Sequence, residues 1–196
     1  YENIEKAWNK YKYVFISVLV AIFAATAGYT AYTNSVKEAS KADSEIIFKT
    51  VLNNATKPNY TESLNKALTT LKTDTGVETL KLELAKAYKA SNNVEMFEKT
   101  LTELTGAKTK AIQSISTYML AEHFLSTDAK LAIDFINNSK VSNKDFTYSL
   151  LQEVKAMAFI SIEKTEEAKE TYKSIIASEA SQSIKDRAEF KLKQIK

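Results

Sequence analysis

The chain divides into an early segment without charge and a longer segment in which polar and apolar residues alternate with a helical period. Residues 13–36, YVFISVLVAIFAATAGYTAYTNSV, contain no Asp, Glu, Lys, Arg or His across 24 positions. About 20 helical residues cross a hydrocarbon core about 30 Å thick, and the apolar part from Val14 to Tyr32 reaches that length. We therefore expect one transmembrane helix over residues 13–36, preceded by a short flank over residues 1–12.

The residues beside this run favour a membrane anchor. Aromatic rings and lysines, which prefer the interface between lipid and water, stand near both of its ends. They are Lys6, Trp8, Lys10, Tyr11, Lys12 and Tyr13 at the start, and Tyr29, Tyr32, Lys37 and Lys41 at the end. Three lysines before the run and two soon after it favour, by the positive-inside rule, a cytoplasmic N-terminus and an exported C-terminal domain.

Two other interpretations of the run remain open. Ala25-Thr26-Ala27 has the pattern of a signal peptidase site, and the run would then be a cleaved signal peptide. The run would otherwise be a buried core helix, although a core helix in a domain of this size normally keeps a polar stripe. Apolar character continues past the cleavage motif to Tyr32, which favours the anchor.

The remainder, residues 37–196, predicts a helical domain. The chain has only three Gly and one Pro, too few for the turns of a sheet of short strands. Ala, Leu, Lys and Glu are abundant, and all four favour helix. We expect an all-α domain with helices over 35–54, over 61–72 with Thr61 as its cap and 73–76 as its end, and over 183–196, besides the hairpins described next.

A repeat of about 35 residues begins near Gly76. A small residue recurs at spacings of 36 and 35, an aromatic follows it three positions later, and a second helix repeats two core positions four residues apart. These four sets are Ala85, Ala121 and Ala156; Tyr88, Phe124 and Phe159; Phe97, Ala132 and Ala168; and Leu101, Ile136 and Tyr172. The pattern predicts stacked helical hairpins, because one hairpin cannot bury its apolar face alone.

The repeat resembles a divergent tetratricopeptide repeat, with the Ala-x-x-x-aromatic feature of its second helix at Ala168 and Tyr172. The family's early Trp and Leu are replaced by Gln152 and Lys155 in the third unit, and its closing Pro is missing. An array of generic helical hairpins is the alternative. The resemblance implies a curved array whose concave side is lined by the first helix of each hairpin.

The whole layout is similar to that of YfgM-like proteins, which are ancillary subunits of the bacterial SecYEG translocon. The likeness lies in a short flank with Trp8, one span, a long helix, degenerate hairpins and the ending SIKDRAEFKLKQIK. It implies a single-pass protein of the bacterial inner membrane with a periplasmic domain. The implied partners are the lipid bilayer, the SecYEG translocon and a membrane-anchored chaperone of the PpiD type.

The function that we expect is a protein-protein interaction scaffold held at the membrane. A structural accessory subunit of another membrane complex, a coordinator of envelope assembly and a secreted binding protein released by cleavage remain as alternatives. Two contact surfaces are predicted. The groove would be lined by Lys86, Lys89, Tyr118, Glu122, Leu125, Glu153, Met157 and Ile160. The membrane helix would pack through Ala21, Ala24, Ala25 and Gly28, because small residues let helices approach closely in lipid.

The composition gives no support for catalysis, a cofactor, a metal or nucleic-acid binding. The chain has no cysteine and a single histidine, His123, which we interpret as a packed or half-exposed side chain. No glycine-rich phosphate loop is present. Basic and acidic residues number 27 and 24 and are interspersed, and only Arg187 is an arginine. We therefore expect neither an enzyme nor a small-molecule substrate.

Overall fold

The computed structural model describes residues 2–195, with side chains from residue 28 onward, and every regular element in that range is a helix. The elements are α1 (Glu2–Asn54), α2 (Tyr60–Leu68), α3 (Asp74–Ala90), α4 (Val94–Leu104), α5 (Lys110–Thr127), α6 (Ala129–Asn137), α7 (Tyr148–Ser161), α8 (Thr165–Ala177) and α9 (Gln182–Gln194). The all-α prediction is confirmed for this part of the chain.

The charge-free run lies within α1, which continues without a break to Asn54. Three of the residues predicted to pack in the membrane, Ala21, Ala24 and Ala25, lie outside the residues whose side chains are described. Gly28 is exposed, and a Cβ atom added to it would meet nothing within 4 Å. A search of the described side chains finds no helix with both the length and the apolar character needed to cross a membrane.

The helices form four hairpins and a closing helix. The pairs α1–α2, α3–α4, α5–α6 and α7–α8 pack as hairpins, and α9 packs on α8 and α7. We call the first helices, α1, α3, α5, α7 and α9, the A helices and their partners, α2, α4, α6 and α8, the B helices. Each A helix also contacts the next A helix, so that the hairpins stack in one direction.

The predicted repeat positions make the core of this stack. Ala85, Ala121 and Ala156 are each 0% exposed, as expected where two helices approach closely. The two positions predicted on the B helices are buried in all three hairpins: Phe97, Leu101, Ala132, Ile136, Ala168 and Tyr172. Ala188 of α9 is also 0% exposed and repeats the small position a fourth time. The hairpin prediction from Gly76 onward is therefore confirmed.

Several predicted helix ends are wrong. The second helix begins at Tyr60 with Asn59 as its N-cap, not Thr61, and ends at Leu68. The segment 73–76 starts a helix instead of ending one, because the Thr73 hydroxyl oxygen accepts a hydrogen bond from the Gly76 N–H at 3.0 Å. The last helix ends at Gln194, and the predicted end at Lys196 lies outside the described residues.

One polar side chain on each of the first two A helices receives the N-terminus of the next A helix. The Asp43 carboxylate accepts hydrogen bonds from the backbone N–H of Lys72 at 3.0 Å and of Thr73 at 2.8 Å. The Glu78 carboxylate accepts in the same way from Lys108 at 2.7 Å and Thr109 at 3.0 Å. These bonds satisfy backbone donors that have no partner within their own helix, and they fix how neighbouring hairpins stack.

The third such junction uses hydroxyl groups. Ser114 of α5 hydrogen-bonds to Thr147, the residue before α7, and both side chains are 2% exposed. The residues that precede the last four A helices are Thr73, Thr109, Thr147 and Ser181. A hydroxyl residue therefore marks each of these starts.

Candidate protein-binding surface

All eight predicted groove residues lie on A helices. Lys86 and Lys89 lie on α3, Tyr118, Glu122 and Leu125 on α5, and Glu153, Met157 and Ile160 on α7. Each of these helices contacts the next, so the A helices form one side of the stack. We call this side the A-helix surface.

The centre of the A-helix surface is a network of charged and polar groups. The Arg187 guanidinium of α9 donates two hydrogen bonds to the Glu153 carboxylate, from Nε at 3.0 Å and from the terminal nitrogen at 2.7 Å. The Tyr118 hydroxyl donates to Glu122 at 2.5 Å. Burial raises the pKa of Tyr118, and the hydrogen bond to Glu122 and the charge of Glu153 raise that pKa further.

Arg187 was not among the predicted groove residues. As the only arginine of the chain, it carried no prediction of a site. In the structure the Arg187 guanidinium binds the Glu153 carboxylate of α7 through two parallel hydrogen bonds, the bidentate geometry typical of arginine and carboxylate. This pairing raises the pKa of Arg187, and the charged form is therefore stabilised. Glu153 precedes Arg187 by 34 residues, close to one repeat length. This spacing is the sequence signal from which the pairing could have been predicted.

The apolar members of the predicted set differ in exposure. Tyr118, Leu125 and Met157 are half-buried against the core cluster that contains Ala121 and Leu151, and they therefore help to join α5 to α7. Ile160 is 42% exposed and available for contact. The surface thus combines stacking contacts with an exposed apolar side chain.

The two lysines of α3 have partners inside their own hairpin. Lys86 forms an ion pair with Glu83 at 2.7 Å. The Lys89 ammonium lies 5.5 Å from the centroid of the Phe97 ring on α4. Both side chains are exposed, so they add positive charge to the first part of the A-helix surface without joining the network around Glu153.

A further groove lies between α1 and α3, in a part of the surface that the sequence analysis missed. It has a volume of about 340 Å³, and its walls include Ile47, Phe48 and Val51 of α1 and Thr79 of α3. Phe48 is 65% exposed. The sequence repeat was recognised only from Gly76, so the second half of α1 was not identified as the first A helix. Asp43 precedes Glu78 by 35 positions, the length of one repeat, and this spacing could have identified the second half of α1 as an A helix.

His123 has the environment predicted for it. Its Nε2 atom lies 2.7 Å from the Glu98 carboxylate, and its ring meets the Phe97 ring edge-on at a centroid distance of 5.3 Å. The side chain is 13% exposed. The residue joins α5 to α4 as a packed polar side chain. Over the residues with described side chains, no three His, Asp or Glu groups are placed to hold a metal ion.

Comparison with protein families gives one match. A family model described as a tetratricopeptide repeat-like domain matches residues 6–196. The matched region starts upstream of the charge-free run and includes every hairpin of the stack. No curated protein and no solved structure matches the chain significantly.

Proposed function

The chain belongs to the tetratricopeptide repeat-like domain family, and from this we propose that it is a scaffold that binds protein partners while anchored in a membrane. Arrays of this kind act through extended surfaces on stacked helices. The observation that most supports the proposal is the A-helix surface, where exposed Lys86, Glu122 and Ile160 surround a fixed polar network. Such a mixture of apolar and charged groups suits a helix or an extended segment of another protein.

The proposed anchor is the charge-free run, residues 13–36. It is joined to the first hairpin by helix alone, since α1 continues from the run through Asp43 to Asn54. The run has the length needed for a membrane span and is flanked by lysines and aromatic residues. The finer proposal is an ancillary subunit of the SecYEG translocon in the bacterial inner membrane, with the repeat domain in the periplasm and a PpiD-type chaperone as its second partner.

The scaffold would make two separate contacts, one in the membrane and one on the A-helix surface. For the surface contact we choose Ile160→Glu, because Tyr118 and Met157 are half-buried and their replacement would disturb packing. Leu131→Glu is the matched control: Leu131 is 44% exposed, close to Ile160 at 42%, but lies on a B helix. For the membrane contact we choose Ala21→Leu with Gly28→Leu.

The test is crosslinking followed by purification of the full chain from native membranes in mild detergent. We expect Ile160→Glu to lose a soluble partner that Leu131→Glu keeps, and the paired leucine variant to lose only a membrane partner. Recovery of SecYEG subunits would support the translocon assignment, whereas recovery of another membrane complex would support the accessory-subunit alternative. If folded variants of both kinds keep every partner, the two-contact scaffold is wrong.

A further inference from the structure

The inter-helix segments that precede A helices lie together along one edge of the stack. We call the segments 69–73, 105–109, 138–147 and 178–181 the A-start edge. Thr75 and Thr109 share a hydrogen bond at 3.2 Å, which places the starts of α3 and α5 side by side. Ser114 and Thr147 do the same for α5 and α7, and the segments 143–149 and 177–184 line one cavity of about 630 Å³ between the starts of α7 and α9.

Helix α1 crosses the A-start edge and extends beyond it. Asp43 bonds to Lys72 and Thr73 within the edge, while α1 begins far upstream at Glu2. Seven residues separate Asp43 from Val36, the end of the charge-free run. At a rise of about 1.5 Å per residue, this places the end of the run about 10 Å from the bond to the edge.

The inter-helix segments of the A-start edge contain more lysines than those of the opposite edge. The segments of the A-start edge contain four lysines, Lys72, Lys108, Lys140 and Lys144, and two acidic residues, Asp145 and Glu179. The opposite edge, segments 55–59, 91–93, 128 and 162–164, contains two lysines and two acidic residues. The carboxylates of Asp43, Asp74 and Glu78 also lie at this edge and offset the charge near Lys72 and Lys108, and Lys108 pairs with Asp74 at 2.6 Å. The positive charge that no ion pair offsets is therefore at Lys140 and Lys144.

The strongest part of the A-start edge is the segment 138–147. Lys140 and Lys144 are exposed, and neither forms an ion pair or hydrogen bond with any other described residue. Asp145 is turned inward on its own segment, accepting from the Ser142 backbone N–H at 2.7 Å. Phe146 is 61% exposed beside these lysines. An aromatic ring next to free ammonium groups is the combination that favours the headgroup region of an anionic bilayer.

We propose that the A-start edge lies against the anionic lipid headgroups of the membrane that holds α1. This inference rests on the proposed membrane anchor. Lysines near a negatively charged leaflet are attracted within a Debye length of about 8 Å at physiological ionic strength. The headgroup layer extends about 5–7 Å beyond the hydrocarbon core, so a point about 10 Å past the end of the run lies within that length of the headgroups. The contact fixes the orientation of the array, because α1 alone would leave the domain free to tilt.

The absence of cysteine allows a single fluorescent label at a chosen position. The full chain is labelled at Asn143→Cys on the A-start edge or at Thr127→Cys beside the opposite edge, both of which replace exposed residues. Each protein is reconstituted into phosphatidylcholine vesicles with or without phosphatidylglycerol, with a headgroup nitroxide lipid as the quencher. We expect several-fold stronger quenching at residue 143 than at residue 127, and a loss of the difference in high salt or without phosphatidylglycerol.

A charge variant gives the second measurement. Lys140→Gln with Lys144→Gln should reduce the quenching at residue 143 toward that at residue 127, whereas Lys57→Gln with Lys164→Gln on the opposite edge should leave it unchanged. Flotation of the vesicles separates the two proposals. If the chain does not float with the vesicles, the proposed membrane anchor is wrong, and this inference is wrong with it. A chain that floats but shows equal quenching at both positions, or quenching that ignores lipid charge, overturns this inference and leaves the anchor intact.

Discussion

The carboxylate of Asp43 lies so close to Gly76 that a Cβ atom on residue 76 would stand 2.5 Å from Asp43 Oδ2. Asp43 is 1% exposed and also accepts a hydrogen bond from the Thr73 hydroxyl at 2.6 Å. The glycine is therefore required for close approach, and the contact joins α1 to the start of α3. This junction connects the proposed anchor to the repeat domain.

Replacing Asp43 with Ala should destabilise the first hairpin. The change leaves the N–H groups of Lys72 and Thr73 without their partner, at a cost of about 1–3 kcal/mol. Urea unfolding and amide exchange at residues 72 and 73 would measure the effect. Glu45→Gln on the exposed side of the same helix is the control, since it removes only a surface ion pair with Lys49 and should change stability little. Equal stability of the Asp43 variant and the control would contradict the assignment.

The same junction should make folding sensitive to acid. Burial raises the pKa of Asp43, but hydrogen bonds from Thr73 and from the backbone of Lys72 and Thr73 outweigh it and leave the pKa below its ordinary value. Since the folded pKa is depressed, the carboxylate stabilises the fold above pH of about 4 and loses this effect as pH falls through the folded pKa. We expect the urea midpoint of Asp43→Asn to fall less steeply with acid than that of the natural chain.

Glu78 should contribute to the same acid transition one repeat later. Burial raises the pKa of Glu78, but hydrogen bonds from Thr109 and from the backbone of Lys108 together outweigh it and leave the pKa below its ordinary value. The double variant Asp43→Asn, Glu78→Gln should therefore lose more of the acid dependence than either single change. If the urea midpoints of the natural chain, the two single variants and the double variant fall equally steeply with acid, other carboxylates govern the transition.

A larger residue at position 121 should strain the contact between hairpins. Ala121 is 0% exposed, and Ala121→Leu adds three carbon atoms to a filled interface, for a cost of about 1–3 kcal/mol. Ala111→Leu is the control on the same helix because Ala111 is exposed. Thermal unfolding followed by circular dichroism compares the two. A melting temperature unchanged by Ala121→Leu would contradict the close packing described for this position.

Removing the Tyr172 hydroxyl should make the protein more stable. The side chain is 0% exposed, and its hydroxyl has no hydrogen-bond partner among the described residues. Burial and the negative charge of Glu153 raise its pKa to about 12. Tyr172→Phe removes an unpaired buried polar group and should raise the free energy of unfolding by about 1 kcal/mol. Tyr118→Phe, which loses its bond to Glu122, should show no such gain, and a clear loss in Tyr172→Phe would reveal a partner for the hydroxyl.

The proposed topology has its own test. If the N-terminus is cytoplasmic and the repeat domain is exported, protease added outside spheroplasts should degrade the chain after Val36. Lys6, Lys10 and Lys12 motivate this orientation. Protection of the domain until the cells are lysed would show the opposite orientation.

The intact mass of the mature protein distinguishes an anchor from a cleaved signal peptide.

The helical hairpins could be predicted because they depend on local pattern. Ala85, Ala121 and Ala156 recur at nearly constant spacing, and each is fully buried in the structure. A stack of like units places the same demand on each unit, so that burial appears in the sequence as a period. The all-α class, three of the four hairpins and their repeated core positions follow from that period.

The junctions between hairpins were decided by tertiary structure. Thr73 follows the end of one apolar pattern, which predicts that a helix ends there. In the structure Asp43, thirty residues earlier, accepts a hydrogen bond from the Thr73 backbone N–H, and a helix begins after Thr73. The same holds for Arg187 and Glu153, whose pairing depends on two helices that are distant in the chain. The sequence by itself determined the buried apolar positions that recur with the repeat, since these follow the hydrophobic pattern. The burial of polar Asp43, Ser114 and Thr147 depended on the stacking. Which polar groups meet depended on the stacking of whole hairpins, because a hydrogen bond requires two partners at a fixed distance and direction.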